Sequence, residues 1–109
     1  MSAILSADVG VLAPAPPAEV RAVLQNLEAD CLQAQAGVMT AIAEDGLDPV
    51  LSARAESLHR TLEDIRGALA RVDAGTYGRC LRCGGAIPAA RLELRPFAAT
   101  CVPCAGAAR

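Results

Sequence analysis

Four cysteines constrain this chain more than any other feature. Cys80-Leu81-Arg82-Cys83 and Cys101-Val102-Pro103-Cys104 are two C-x2-C pairs separated by 17 residues. Each pair sits on a tight knuckle whose sulfurs can face one ion, the pattern of a four-thiolate zinc site. The competing reading is two disulfides, the usual use of paired cysteines in exported proteins. Nothing here reads as exported. Met1–Asp8 has no basic region, and Asp8 breaks its short apolar run. Cys80, Cys83, Cys101 and Cys104 are therefore read as the ligands of one structural zinc ion. Gly84 and Gly85 follow the first pair, where they can take positive φ and aim N–H groups at the thiolates.

Four thiolates close the coordination sphere and leave no position for water or substrate. The single histidine, His59, lies far upstream, and neither an H-E-x-x-H pattern nor a nucleophile-and-base set is present. No catalytic residue is predicted, and the chain does not read as an enzyme. The cysteine segment is too short to bury a core unaided, so the metal should supply most of its folding free energy. Tyr77 and Phe97, the only aromatics, flank this segment and are expected to pack against the knuckles.

Upstream the pattern is helical. Val20, Leu24, Leu27, Cys31, Ala34, Val38 and Ala41 recur in alternating steps of four and three. Leu51, Ala55, Leu58, Leu62, Ile65, Leu69 and Val72 repeat those steps. Two such stripes of equal length joined by a short turn describe an antiparallel helical hairpin with a coiled-coil seam. Pairing the stripes from the outside in sets Val20 against Val72 and Cys31 against Leu62, which centres the turn near Gly46. Gly46 suits a left-handed cap, Asp48 an N-cap and Pro49 a first helical position. Pro17 and Glu19 suit the start of the first helix. Ala74-Gly75 stops the second, giving a rod of roughly 35 Å at ~1.5 Å per residue. Gly37 and Gly67 weaken the helices by about 1 kcal/mol each relative to alanine.

The fold class is thus mainly α: an antiparallel coiled-coil hairpin over 17–74 with its tip near 44–48, followed by a small four-Cys zinc finger over 75–109. A flexible arm over 1–16 with a Pro-rich exit precedes it. Composition agrees. Apolar residues make up 53 % and aromatics 2 %, the balance of close-packed helices rather than a sandwich or barrel. No apolar run approaches the length needed to span a bilayer. Net charge is −2, from ten arginines and no lysine against twelve acids. A phosphate-gripping protein wants a basic surplus, so a protein partner is expected rather than nucleic acid or membrane, and the cytoplasm is the expected compartment.

Four places carry further candidates. Cys31 is a seam thiol acting as a small apolar residue, in preference to a fifth ligand or redox switch. His59 flanks the seam. At the turn, Glu44, Asp45 and Asp48 are either ordinary turn and cap acids or groups that reach a metal or a partner's cations. On the finger, Arg79, Arg82, Arg91 and Arg95 stand with Glu93 as the sole acid; they form a solvated basic face or one that grips an acidic or phosphate-bearing partner.

The stretch Ala68–Cys80, containing Gly75-Thr76-Tyr77-Gly78, closely resembles the DksA/TraR family of bacterial transcription factors. So do Cys83-Gly84, Ile87-Pro88, Arg91-Leu92-Glu93, Arg95-Pro96 and the final cysteine pair, about 35 residues in all. The resemblance implies a coiled coil preceding a four-Cys finger, and a regulator that docks in the secondary channel of RNA polymerase without binding DNA. It implies that the tip carries acidic residues to the catalytic magnesium while the finger braces the coil and touches the channel rim. The family's tip motif is Asp-x-x-Asp-x-Ala. Asp45 and Asp48 have its spacing and are the expected partner-binding acids, but Val50 stands where alanine belongs and Pro49 intrudes. Reading from Asp48 instead restores Ala53 and puts Leu51 at the second acid. The rod looks shorter than in longer members. Five residues follow Cys104, so the family's C-terminal helix is not expected, and Ala105 stands where longer members have a basic residue for ppGpp. Arg95 matches another ppGpp position, and no ppGpp site is predicted. A zinc-stabilised adaptor on the same scaffold, without polymerase regulation, is the alternative.

Overall fold

The structure is a computed structural model that describes residues 16–107. The expected N-terminal arm lies outside them apart from Pro16. Two long helices, α1 (Pro17–Asp45) and α2 (Pro49–Ala74), run antiparallel, and two short ones, α3 (Ala89–Leu94) and α4 (Val102–Ala107), belong to the cysteine-bearing segment. The molecule is 58 Å long and 31 × 23 Å across.

Both long helices start where proline allows. Pro17 and Pro49 occupy the first turn, where a missing N–H costs nothing. Asp48 adds a side-chain cap: its Oδ1 accepts from the Leu51 N–H at 2.8 Å. α1 ends as its last N–H bond passes from Gly46 to the Ile42 carbonyl. Gly46 has φ 85° and ψ 163°, not the left-handed helical conformation expected of it. This extended, positive-φ region is open essentially only to glycine, and it lets a three-residue link cross to α2. The left-handed cap occurs instead at Gly75, with φ 78° and ψ 17°. There Gly75 N–H bonds Val72 O and Thr76 N–H bonds Arg71 O, the paired bonds of a Schellman ending.

The seam buries Val20, Leu24, Cys31, Leu62, Ile65, Ala68 and Val72 in one cluster, with Leu27, Leu58 and Leu69 packed against it. Leu24 and Ile65 are the largest fully buried side chains; removing each from water is worth about 1.5–3 kcal/mol. Two ion pairs fix the register from outside: Arg21 with Asp73, and Glu28 with Arg66 at 2.8 Å. Both are centred on Leu47, one residue beyond the centre expected from the stripes. Ala68 was not among the expected seam residues, yet it is fully buried while Leu69 is half-buried. At this end of the rod Tyr77 and Phe97 join the cluster that holds Ala68, so the buried face there is wider than the hairpin seam alone. Cys31 lies buried with its thiol donating to the Leu58 carbonyl at 3.3 Å. His59 is exposed beside Glu63.

The aromatics make a contact that was not expected of them. Tyr77 and Phe97 pack against the hairpin cluster, joining the cysteine segment to the base of the rod. The Tyr77 hydroxyl donates to the Pro96 carbonyl at 2.7 Å.

Candidate metal centre and tip

The first knuckle is shaped by backbone bonds. Arg79 and Ala86 form an isolated antiparallel bridge, Ile87 N–H bonds Gly78 O at 2.7 Å, and Cys80 N–H bonds Gly85 O at 2.8 Å. Inside that small loop Gly84 takes φ 75° and its N–H reaches the Cys80 carbonyl. Gly85, at ordinary φ, supplies an N–H to Cys83 Sγ at 3.4 Å, and the Cys83 N–H points at Cys80 Sγ at 3.5 Å. Of the two glycines expected to reverse the chain, only Gly84 does so. The second knuckle opens α4, a helix the sequence reading did not expect. Ala105 N–H bonds the Cys101 carbonyl, so the turn that presents Cys104 is the first turn of α4. Leu81 N–H to Ala99 O, 2.9 Å, ties the two knuckles together.

All four sulfurs lie within 4.8 Å of one another. Cys83 Sγ and Cys101 Sγ are 3.8 Å apart. A tetrahedral set with Zn–S bonds of about 2.3 Å has S···S edges of about 3.8 Å, so the donors fit zinc. A disulfide needs about 2.05 Å, and all five cysteines are free thiols. Without the ion the thiols are electrostatically unequal. The Cys83 N–H holds the Cys80 thiol down to about 6, against the opposing effect of its burial. Hydrogen bonds from the Cys104 thiol to Cys101, then to Cys80, with burial behind them, push Cys104 up to about 12. One thiolate forms readily and one only when an ion displaces its proton.

The segment's own apolar interior is small: Cys80, Ile87 and Ala98 are buried. Bound zinc contributes ~10–16 kcal/mol in comparable finger peptides, far more than three such residues.

The four arginines have different surroundings. Arg79 and Arg82 are exposed. Arg91 is half-buried and its Nε donates to the Thr100 carbonyl at 2.9 Å, which braces the loop before Cys101. Arg95 lies over the Phe97 ring at 5.4 Å. At the far end of the rod, Asp45 is the last residue of α1 and is exposed, as are Glu44 and Asp48. The Asp48 carboxylate is already engaged as a cap. Leu47 and Val50, 64 % and 76 % exposed, stand between and beside these acids. Sequence reasoning did not single them out, although two large aliphatics in a turn are a visible signal. Among the described residues no helix is long and apolar enough to cross a membrane.

Residues 75–108 match the prokaryotic dksA/traR C4-type zinc finger. An uncharacterised protein from Aquifex aeolicus (strain VF5) is 47 % identical over 45 residues, which are 41 % of this chain and 31 % of that protein, so the match spans about a third of the relative's length. The transcription factor DksA2 from Pseudomonas aeruginosa superposes with a TM-score of 0.72 at 23 % identity, over 83 % of this chain and 80 % of that one. The DnaK suppressor protein from Agrobacterium tumefaciens C58 does so at 0.67 and 23 %, over 88 % and 96 %. At these identities the superpositions speak for the fold. The chain carries the DksA/TraR C4-type zinc finger over residues 75–108, with one structural zinc ion, on a helical hairpin that has the fold of the DksA structures.

Proposed function

We propose that this protein is a transcription regulator that binds RNA polymerase through its secondary channel, with the hairpin tip working near the active centre and the finger bracing the rod. In this reading residues 17–74 are the probing hairpin and 75–109 the finger, Cys80, Cys83, Cys101 and Cys104 hold the zinc, and the protein performs no chemistry of its own. The observation that carries the reading is the pairing of a finger of this family with a narrow rod whose far end bears Asp45 and Asp48. Two carboxylates on a slender free tip are suited to a cation deep in a cleft. Arg79 and Arg82, both exposed, are the finger's candidates for the rim; Arg91 bonds the Thr100 carbonyl, and Arg95, also exposed, lies over Phe97. In vitro transcription with purified polymerase tests it. Zinc-loaded protein should change promoter-complex lifetime, and Asp45→Asn should remove that effect while co-purification with polymerase survives. Unchanged transcription at saturating protein would overturn it.

A second reading, an adaptor that keeps the scaffold without regulating the enzyme, draws on Asp48 and Val50. The Asp48 carboxylate serves the fold by capping α2, and Val50 replaces the small residue of the family's motif. Binding to polymerase that depends on Arg79 and Arg82 but leaves transcription unaltered would favour it.

A further inference from the structure

Arg71 lies in the last turn of α2, at the joint between rod and finger. Its backbone carbonyl accepts the N–H groups of Gly75 and Thr76, the two residues through which the chain leaves the helix. Its side chain runs back over the base of the seam, where the missing side chain of Gly67 leaves it room: a Cβ there would stand 3.4 Å from Arg71 Nη1. Nε and Nη2 are both sealed from solvent and have no hydrogen-bond acceptor among the described residues. Arg71 as a residue is half-buried, but two sealed N–H donors without acceptors are unfavourable, because their desolvation is not offset by any bond. The usual compensation at a helix C-terminus is to the free carbonyls. Here the Arg71 and Val72 carbonyls already accept from Gly75 and Thr76. The Tyr77 phenol lies near enough for the guanidinium's charge to favour its ionised form, although burial outweighs this and raises the phenol's pKa overall. Tyr77 directs its own proton to Pro96, across the finger.

One residue therefore holds the hinge by its carbonyl and opposes the closed joint by its side chain. We propose that the joint is a two-position device: in the closed position Tyr77 is seated on the rod with Arg71 Nε and Nη2 sealed beside it, and in the open position the finger pivots about Gly75–Thr76, Tyr77 lifts, and those two nitrogens reach water. The zinc knuckles move as a unit, since their bonds lie beyond the pivot. Gly75, in the left-handed conformation, lets the backbone turn there without a side-chain penalty. The energetic logic is that of a seat stabilised by apolar packing and opposed by two unpaired donors.

Tyr77 is the only tyrosine and the chain has no tryptophan, so tyrosine emission reports the joint alone. The test compares zinc-loaded full-length protein with Arg71→Met, which keeps the apolar stem and removes the donors. The variant should bind one zinc, show at least a twofold smaller acrylamide quenching constant for Tyr77, and slow exchange of the Thr76 amide about tenfold. Equal or greater quenching and unchanged exchange would overturn the proposal. Should Arg71→Met fail to fold, native-state exchange of the unaltered protein decides. Thr76 should exchange through an opening whose denaturant dependence lies between zero and that of Leu62. A zero slope, meaning simple fraying, or a slope equal to that of Leu62, meaning global unfolding only, would overturn it.

Discussion

Cys83 Sγ and Cys101 Sγ stand 3.8 Å apart, although 17 residues and the whole of α3 separate them in the chain. The loop between them therefore closes with the spacing zinc requires, while its apolar interior is too small to close it alone. Metal and finger fold should be inseparable. The purified protein should carry one zinc per chain, measured by elemental analysis, and Cys101→Ser should reduce this to a small fraction. Chelation should abolish finger structure while leaving most of the far-UV helical signal, which comes from α1 and α2. Loss of all helix on chelation would mean that the rod is not held by its own seam.

The same cluster sets the pH dependence. The folded Cys80 pKa is lowered to about 6, so this group favours the metal-free fold above its ordinary range, and that contribution is lost as pH falls through about 6. Cys104 is raised to about 12, so at any pH below that zinc must expel its proton to bind. Zinc affinity should accordingly fall at least tenfold for each unit of acidification near neutrality. Below pH 6 Cys80 adds a second proton and the slope steepens. Competition with a chromophoric chelator between pH 5 and 8 measures both, and a flat profile would contradict the assignment of thiolate ligands.

In the rod, stability should follow the seam and not the ion pairs. Leu24→Ala and Ile65→Ala each remove a fully buried aliphatic and should cost about 2–5 kcal/mol in thermal or urea unfolding of the zinc-loaded protein. Arg21 and Asp73 are partly or largely exposed, with side chains 41 % and 67 % accessible, so Asp73→Ala should change stability by ~1 kcal/mol or less. Gly37 lies in the middle of α1 with open space where a Cβ would stand, so Gly37→Ala should stabilise by about 0.5–1 kcal/mol. Gly46→Ala should do the reverse, because φ is 85° there.

These contrasts indicate which parts of the molecule were legible in the sequence. The 4-3 recurrence from Val20 to Val72 is a property of the chain, and so are the prolines and Asp48 that start and cap the helices. Hairpin and register follow from them to within one residue. Ala68 and Leu69 are both apolar, and the burial of the smaller one belongs to the base of the rod, where Tyr77 and Phe97 join the cluster. The cysteine spacing announced the metal site, but α3 and α4 are short helices held within the finger framework, with no periodicity to reveal them. Tyr77 and Phe97 were recognisable as packing residues, whereas their contact with the rod depends on where the finger docks. Arg71 was not singled out, because the sealing of its Nε and Nη2 is a property of the folded joint and not of the chain.

At the tip, Asp45 and Asp48 share a sequence spacing and not an environment. Asp48 Oδ1 accepts from Leu51 N–H, while Asp45 ends α1 beside Glu44, with no basic residue in the last turn. Acids at the negative end of a helix cost stability, about 0.3–1 kcal/mol each when exposed, whereas an N-cap acid adds it. Neutralising the two should therefore separate fold from function. Asp45→Asn should raise stability slightly and abolish any effect on transcription. Asp48→Asn retains a capping oxygen and should leave stability within ~0.5 kcal/mol, while Asp48→Ala should lose about 0.5–2 kcal/mol. If Asp48→Asn leaves transcription intact while Asp48→Ala impairs it in proportion to lost helix, then Asp48 serves the hairpin and Asp45 alone meets the partner. Equal functional losses from Asp45→Asn and Asp48→Asn, with folding preserved in both, would instead make the two carboxylates a joint site.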